Sequence, residues 1–347
     1  MDKSSLIKIQ LILLTFPVAI ACVACRPHVN TNPPDGLTER ILYCSESDRG
    51  QEIYIVGTDG SGPLGLTNAP DNTHNCENLV WHPDGQQVAF LSDHDGVVRQ
   101  VYQVSIDGSG LLNLSSKYDV GSDFSWSPDG QLVVFTSSDG IYTMRDDGSE
   151  RRKVHDYSLT IPRWSPNGQY IAFGAEENGK GVIYVINADG TEVRQVAQSR
   201  GSSMYSSLYL DWSPDSKRIT FRAMLDDNNY EIAVANVDGS DEIILTNTPT
   251  KDDWPSWSPD GRQIVFYSDR DGNSEIYKMN ADGSDQVRLT HNSTSDMSPK
   301  WSPDGARIAF VSGDFGDKQV FIMNANGSAR TQLTRDAGSK CCISWQP

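Results

Sequence analysis

Residues 301–312 read Trp-Ser-Pro-Asp-Gly-Ala-Arg-Ile-Ala-Phe-Val-Ser, and the same order of residue types returns along most of the chain. Each return carries one tryptophan, at a spacing of about 44 residues. The tryptophans concerned are Trp81, Trp126, Trp164, Trp212, Trp257, Trp301 and Trp345. This period is typical of propeller blades, because a four-stranded blade cannot bury both of its faces alone.

The repeat from Trp257 to Thr290 indicates how four strands arise. Residues 259–261, Pro-Asp-Gly, favour a tight turn, because proline presets φ, aspartate bonds its own backbone and glycine accepts a positive φ. Residues 264–267 are apolar at consecutive positions, which is typical of a strand buried on both faces. Two further turn and strand units follow at 269–279 and 282–290.

The two ends of the repeat region are incomplete in complementary ways. Residues 41–45 match the second strand of a repeat, and no tryptophan strand precedes them. Residues 343–345, Ile-Ser-Trp, form a tryptophan strand with no hairpin after it. Pairing these segments would close the ring and leave no open edge. The sequence therefore predicts an all-β fold, a seven-bladed β-propeller closed by its C-terminal strand, with six or eight blades as alternatives.

The amino-terminal residues predict export to the periplasm or the cell surface. The apolar run at 9–21 follows two lysines, is short for a membrane span and is typical of a secretory signal. Residues 18–22, Val-Ala-Ile-Ala-Cys, resemble a bacterial lipoprotein box, which implies a lipid on Cys22; cleavage without lipid is the alternative. The expected organisation is a signal peptide at 1–21, a tether at 22–38 and one propeller domain at 39–347.

Charge and composition exclude one class of partner. The chain has 347 residues and a formal net charge of −17. Phosphate backbones would be repelled, so nucleic-acid binding is not expected. Much of the acid lies in Asp-Gly turns, which predicts a solvated rim and a soluble protein.

The repeat resembles the TolB-type, WD40-like propeller repeat. The resemblance rests on Trp-Ser-Pro-Asp-Gly, the Ile-x-Phe strand, Asp-Gly-Asn-x-Glu-Ile-Tyr and Ala-Asp-Gly-Ser with a closing Leu-Thr, and it covers residues 41–347. The same repeat occurs in the periplasmic TolB protein, in the gating propellers of prolyl-oligopeptidase-like enzymes and in oligogalacturonate lyases. It implies the fold and leaves the function open.

Departures from these relatives narrow the functional hypotheses. TolB carries an α/β domain before its propeller, where this chain has only the tether at 22–38. The peptidases need a Gly-x-Ser-x-Gly motif, which does not occur in the sequence. The lyases cluster histidines around a metal, whereas the six histidines here are spread over the tether and different repeats. We therefore predict no metal-binding histidine and no catalytic residue.

Loops that precede the tryptophan strands should converge on one mouth of the central channel. They carry aromatic and acidic side chains, which suit recognition of a protein loop or a sugar; packing between blades is the alternative for each one. The candidate binding residues are Asp123, Tyr157, Tyr205, Tyr209, Asp252, Asp253, Trp254 and Asp296.

Two functions follow from these residues. The leading hypothesis is a non-enzymatic, monomeric, envelope-anchored propeller without a cofactor that binds a protein or glycan at the channel mouth. The alternative is a metal-dependent carbohydrate-active enzyme of lyase or lactonase type. Its divalent cation would lie in the channel, held by Asp123, Asp252, Asp253 and Asp296.

Four cysteines beyond the tether, Cys44, Cys76, Cys341 and Cys342, predict disulfides in an oxidising compartment. If Trp345 lies opposite Ile41, counting along antiparallel strands places Cys342 opposite Cys44. Cys76 and Cys341 then make the second pair. A register error of one residue would exchange Cys341 and Cys342, and four reduced thiols are the alternative.

Overall fold

A computed structural model of the chain describes residues 39–47, 50–67, 78–93, 98–116, 120–121, 123–156, 160–200, 209–226 and 229–347. The predicted signal peptide and tether, with Cys22, lie outside these ranges, as do Cys76, Tyr157 and Tyr205. The described residues form strands and turns, with no helix among them. No helix long and apolar enough to cross a membrane is therefore found in the described part of the chain.

The strands form four-stranded antiparallel sheets, seven within the described ranges, and each sheet is one blade. Blade 1 contains β1 (Arg40–Ser47), β2 (Gly50–Gly57) and β3 (Leu64–Gly65). Blade 2 contains β4 (Val80–Trp81), β5 (Gln87–Ser92), β6 (Gln100–Ser105) and β7 (Leu112–Asn113). Blade 3 contains β8 (Phe124–Trp126), β9 (Leu132–Ser137), β10 (Gly140–Arg145) and β11 (Arg152–His155). Blade 4 contains β12 (Thr160–Trp164), β13 (Tyr170–Glu177), β14 (Lys180–Asn187) and β15 (Arg194–Gln198).

The remaining blades repeat this pattern. Blade 5 contains β16 (Leu210–Trp212), β17 (Arg218–Asp226), β18 (Asn229–Asn236) and β19 (Ile243–Ile244). Blade 6 contains β20 (Asp252–Trp257), β21 (Gln263–Ser268), β22 (Glu275–Asn280) and β23 (Val287–Arg288). Blade 7 contains β24 (Asp296–Trp301), β25 (Arg307–Ser312), β26 (Gln319–Asn324) and β27 (Thr331–Gln332). The last strand, β28 (Ser339–Trp345), pairs with β1 and completes blade 1.

Pairing of β28 with β1 confirms the predicted seven-bladed ring and its closure. Trp345 lies opposite Ile41, as the repeat pattern predicts. The expected pairing of Cys342 with Cys44 is wrong, because Cys341 is the residue opposite Cys44. A bulge between Leu42 and Cys44 shifts the register, and Cys342 takes a left-handed φ of 56° there. Among the described cysteines, no disulfide bond is present.

The hydrophobic cores lie between neighbouring blades. On β21, Ile264 and Phe266 pack with residues of blade 5, whereas Val265 packs with residues of blade 7. On β1, Ile41 faces blade 7 and Leu42 faces blade 2. Consecutive apolar residues are therefore buried on both faces of the sheet, as predicted from residues 264–267.

The repeated tryptophans join one blade to the blade before it. All seven are between 5% and 9% exposed. The indole Nε1 of Trp345 donates to the carbonyl oxygen of Lys300 at 3.0 Å, and that of Trp81 donates to Ser344 at 3.2 Å. Blade 1, built from both ends of the described chain, is therefore hydrogen-bonded through tryptophan on both sides.

The Ser-Pro-Asp-Gly turns are fixed by their own side chains. The Ser302 hydroxyl donates to Asp304 Oδ1 at 2.6 Å and accepts from the Arg307 amide at 2.9 Å. The hydrogen bond from Ser302 also lowers the pKa of Asp304. Gly305 has a φ of 70°, and a side chain there would meet Pro259 of the preceding blade. We call the side of the ring that carries these turns the turn face, and the opposite side, which carries the loops before the tryptophan strands, the loop face.

Removal of residues 339–347 should prevent the ring from forming a stable fold. The deletion leaves the β1 edge unpaired and uncovers two inter-blade cores. We expect aggregation, or loss of the cooperative thermal transition in circular dichroism. A truncated protein that melts at the temperature of the full chain would contradict closure by β28.

Candidate functional site

A cavity of about 680 Å³ lies in the central channel. Its wall is built from the innermost strand of every blade, or from the residue beside it. The residue immediately before each tryptophan forms one level of this wall, because side chains alternate along a strand and the tryptophan faces the neighbouring blade. These residues are Val80, Ser125, Arg163, Asp211, Ser256, Lys300 and Ser344, and all but Ser256 line the cavity. We call this level the channel ring.

A second level of the wall lies two residues closer to the loop face, and its backbone is strained. Left-handed φ values occur at Asn78 (64°), Ile161 (51°), Trp254 (56°), Ser298 (56°) and Cys342 (56°), each three residues before its tryptophan. Bulky and β-branched residues rarely adopt this conformation. Register shifts accompany it in β12, β20, β24 and β28. Asn78, Ile161, Trp254 and Cys342 line the cavity, whereas Ser298 does not.

An aromatic pair stands at this second level. The rings of Tyr209 and Trp254 are 4.4 Å apart between centroids, with a tilt of 32°. Both are half-buried and line the cavity. Behind them, Asp253 accepts from the Trp254 amide at 2.7 Å and from Arg222 Nη1 at 2.7 Å. The buried Asp253–Arg222 pair therefore holds the Trp254 amide at this strained position.

Arg163 and Asp123 form a bidentate ion pair on the wall of the cavity. Their two nitrogen–oxygen contacts measure 2.8 and 3.0 Å, the fork geometry that makes such pairs directional. The Asn78 amide also donates to Asp123. Asp123 is thus held by two partners, and Arg163 brings a fixed cation to the channel ring.

Asp211 and Lys300 carry the other charges of the channel ring. Burial raises the pKa of Asp211, while Lys300 and the Trp257 amide, at 2.8 Å from Oδ2, oppose the shift. Burial lowers the pKa of Lys300; Asp211 opposes that shift, and the nearby Arg163 adds to it. The ring therefore combines a fixed guanidinium with an amine and a carboxyl group that each resist ionisation.

The structure brings three of the predicted binding residues to the cavity and keeps three away from it. Asp123, Tyr209 and Trp254 line the cavity. Asp252, Asp253 and Asp296 do not; each is buried and faces an arginine. The contacts are Arg270 to Asp252 at 2.9 Å, Arg222 to Asp253 at 2.7 Å and Arg330 to Asp296 at 3.5 Å.

The four aspartates that would hold a metal under the alternative function do not converge on one point. Each is engaged by a different arginine, which lies on its own or a neighbouring blade. Within the described ranges, no three His, Cys, Asp or Glu side chains are arranged to hold a metal ion. His82, which replaces the serine of a turn, contacts Asp84 at 2.9 Å and the Gly130 carbonyl at 3.1 Å.

Three residues of the channel ring were missed from the sequence: Arg163, Asp211 and Lys300. A signal existed, since the other four repeats place serine or valine immediately before the tryptophan. A charged side chain at that position is not expected to be buried between blades, so it predicts a residue that faces the channel.

The fold and this site define a β-propeller with a ligand-sized cavity in its channel. The chain belongs to the TolB β-propeller domain family (PD40), whose sequence pattern matches residues 18–207 and 137–347.

Two curated proteins share part of the sequence. The uncharacterized protein Atu1656 of Agrobacterium fabrum is 32% identical over 153 residues, which cover 42% of this chain and 50% of that protein. The TolB homolog of Chlorobium luteolum is 30% identical over 142 residues, which cover 40% of this chain and 31% of that protein. The chain thus spans half or less of the length of these relatives.

Solved structures share the architecture. A candidate TolB from Agrobacterium tumefaciens has a TM-score of 0.52 at 26% identity, covering 69% of this chain and 94% of its own. Oligogalacturonate lyase in complex with manganese has a TM-score of 0.59 at 13% identity and covers 86% of each chain. Puromycin hydrolase has a TM-score of 0.68 at 14% identity, covering 91% of this chain and 57% of its own. The two enzymes show a shared fold alone.

The pKa of the Lys300 amine should lie below that of ordinary lysines, and its neighbours Asp211 and Arg163 should shift this pKa in opposite directions. The Asp211 carboxylate favours the ammonium form, so Asp211→Asn should lower the pKa of Lys300 further. Arg163 disfavours that form, so Arg163→Met should raise it. NMR titration of ¹³C-methylated lysines measures both shifts, with the Lys318 signal as internal control. Shifts of the same sign in both variants would contradict the arrangement.

Proposed function

We propose that this protein is an exported, non-enzymatic propeller that binds a protein or glycan partner at the mouth of its channel. The observation that carries the proposal is the Tyr209–Trp254 pair, which lines a cavity large enough for a ligand and whose tryptophan has a strained backbone. Backbone strain of this kind persists only where the surroundings enforce it, and it concentrates at functional sites.

The order of groups along the channel supports a binding role. A ligand that enters from the loop face meets the aromatic pair first and the channel ring two residues further in. Aromatic rings supply contact area to a sugar face or an apolar side chain at little entropic cost. The charges of Arg163, Asp211 and Lys300 then orient the polar part of the ligand.

Fewer observations support the alternative function, a metal-dependent enzyme. Its four proposed metal ligands are each paired with an arginine, so binding a cation would require four ion pairs to break. The pair of Asp253 with Arg222 is buried on both sides, where the loss of one partner is costly. Elemental analysis after dialysis decides between the two functions. A stoichiometric divalent metal that remains after dialysis would favour the enzyme. If removing that metal also abolished a carbohydrate-cleaving activity, the proposed binding function would be overturned.

Export and anchoring complete the proposal. The sequence of residues 1–22 supports an exported protein that Cys22 ties to a membrane, and the similarity to a relative named TolB homolog supports export. That the protein is a monomer is part of the same proposal. Metabolic labelling with a palmitate analogue should mark the natural protein and not its Cys22→Ser variant. Equal labelling of both, or of neither, would contradict the anchor.

Affinity capture from an envelope extract tests the partner site. We expect Trp254→Ala to reduce recovery of the partner at least tenfold, because losing an interface aromatic anchor costs about 2 kcal/mol or more. Ile243→Ala is the matched control, since Ile243 is 55% exposed on the outermost strand of blade 5. A partner retained equally by both variants, or no partner at all, would contradict this site.

A further inference from the structure

Three cysteines meet where β28 closes the ring. Cys44 and Cys341 are direct partners across the antiparallel ladder. Side chains in that relation point to the same face of the sheet, with Cβ atoms about 4.5–5.5 Å apart. A disulfide needs Cα atoms about 4.4–6.8 Å apart, a range that includes directly opposed residues. The ladder therefore already holds this pair close to bonding geometry.

Cys342 lies in the bulge, where the register of the ladder passes from Cys341 directly to Ser344. It takes a φ of 56° and lines the channel cavity, and its thiol is within hydrogen-bonding reach of Cys341. Cys341 and Cys342 also pack at the edge of the core between blades 1 and 2, to which Cys44 belongs. The sulfur atoms thus share one apolar pocket, although only two of the residues are in register.

The environments of the two registered thiols differ. Hydrogen bonds with the Cys342 and Cys44 thiols, together with the charge of Lys318, lower the pKa of Cys341 to about 4 although burial opposes the shift. Cys341 is half-buried, whereas Cys44 is completely buried. A reagent from solution would therefore meet the thiolate of Cys341 first.

From this geometry we infer that Cys44 and Cys341 are a modification site, which an oxidising environment converts into a disulfide that fastens the closing strand to β1. The inference does not depend on the proposed partner. It replaces the pairs expected from the sequence with the pair that the bulge brings into register.

The reaction is a thiol–disulfide exchange with a low-molecular-weight disulfide. The Cys341 thiolate attacks one sulfur of that molecule, forms a mixed disulfide and releases one thiolate, which takes the proton of Cys44. The Cys44 sulfur then attacks Cys341 Sγ and displaces the second small thiolate, which is protonated from solvent. Two protein thiols are oxidised to one disulfide, and one small disulfide is reduced to two thiols.

The bond would stabilise the fold mainly by lowering the conformational entropy of the unfolded chain. It would join residues separated by about 300 positions, and closing so long a loop removes more chain entropy from the unfolded state than a short loop would. Oxidation should therefore raise the melting temperature without changing the fold.

Peptide mapping of the natural protein tests the bond directly. The protein is incubated with glutathione disulfide, its remaining thiols are alkylated, and it is digested without reduction. We expect a peptide pair that links Cys44 to Cys341, with Cys342 alkylated. Reduced Cys44, or a bond from Cys44 to Cys342 or Cys76, would overturn the inference.

Thermal unfolding tests the consequence. Reduction should lower the melting temperature of the oxidised protein by about 5–10 °C. This difference should vanish in Cys44→Ala and in Cys341→Ala and persist in Cys342→Ala, the matched control. An equal effect of reduction in all three variants would overturn the inference, and mapping of the natural protein decides the matter if a variant does not fold.

Discussion

Pairing of β28 with β1 is the constraint on which the rest of the structure depends. Every hydrophobic core lies between two blades, so no blade is stable in isolation and none can serve as an end. Two adjacent cores pass through β1, because Ile41 and Tyr43 face blade 7 while Leu42 and Cys44 face blade 2. The indole bonds of Trp345 and Trp81 hold both sides of this blade. The stability of the whole ring therefore depends on the pairing of β1 with β28, two strands that lie at opposite ends of the described sequence.

The fold could be predicted from the sequence because each repeat contains recognisable turn residues and one continuously apolar strand. The positions of Trp345 and Ile41 were correct for that reason. The error at Cys342 has a definite cause. A bulge adds one residue to β28, and neither cysteine nor its neighbours favour a left-handed φ, so composition gives no sign of it. Similar strain at Ile161 and Trp254 was invisible for the same reason.

The site was predicted in part. Tyr209 and Trp254 were expected at the channel and are there, whereas Asp252 and Asp296 are buried against Arg270 and Arg330. A carboxylate ahead of a repeat tryptophan looks the same in sequence whether it faces a ligand or an arginine, because the arginine is 18 positions away for Asp252 and 34 for Asp296. Lys300 shows the converse case. Side chains alternate along a strand, so the residue immediately before the repeat tryptophan must face the channel. The position of Lys300 in the channel could therefore have been predicted from the sequence.

The point at which the chain enters the ring has a consequence for orientation. The carbonyl oxygen of Arg40 accepts a hydrogen bond from the Gln346 amide at 3.0 Å, and the Gln346 side chain donates to Gly85 in the His82–Gly85 turn of blade 2. Strand β1 therefore begins on the turn face. The loop face, where Tyr209 and Trp254 line the cavity, therefore lies on the opposite side of the ring from residue 39.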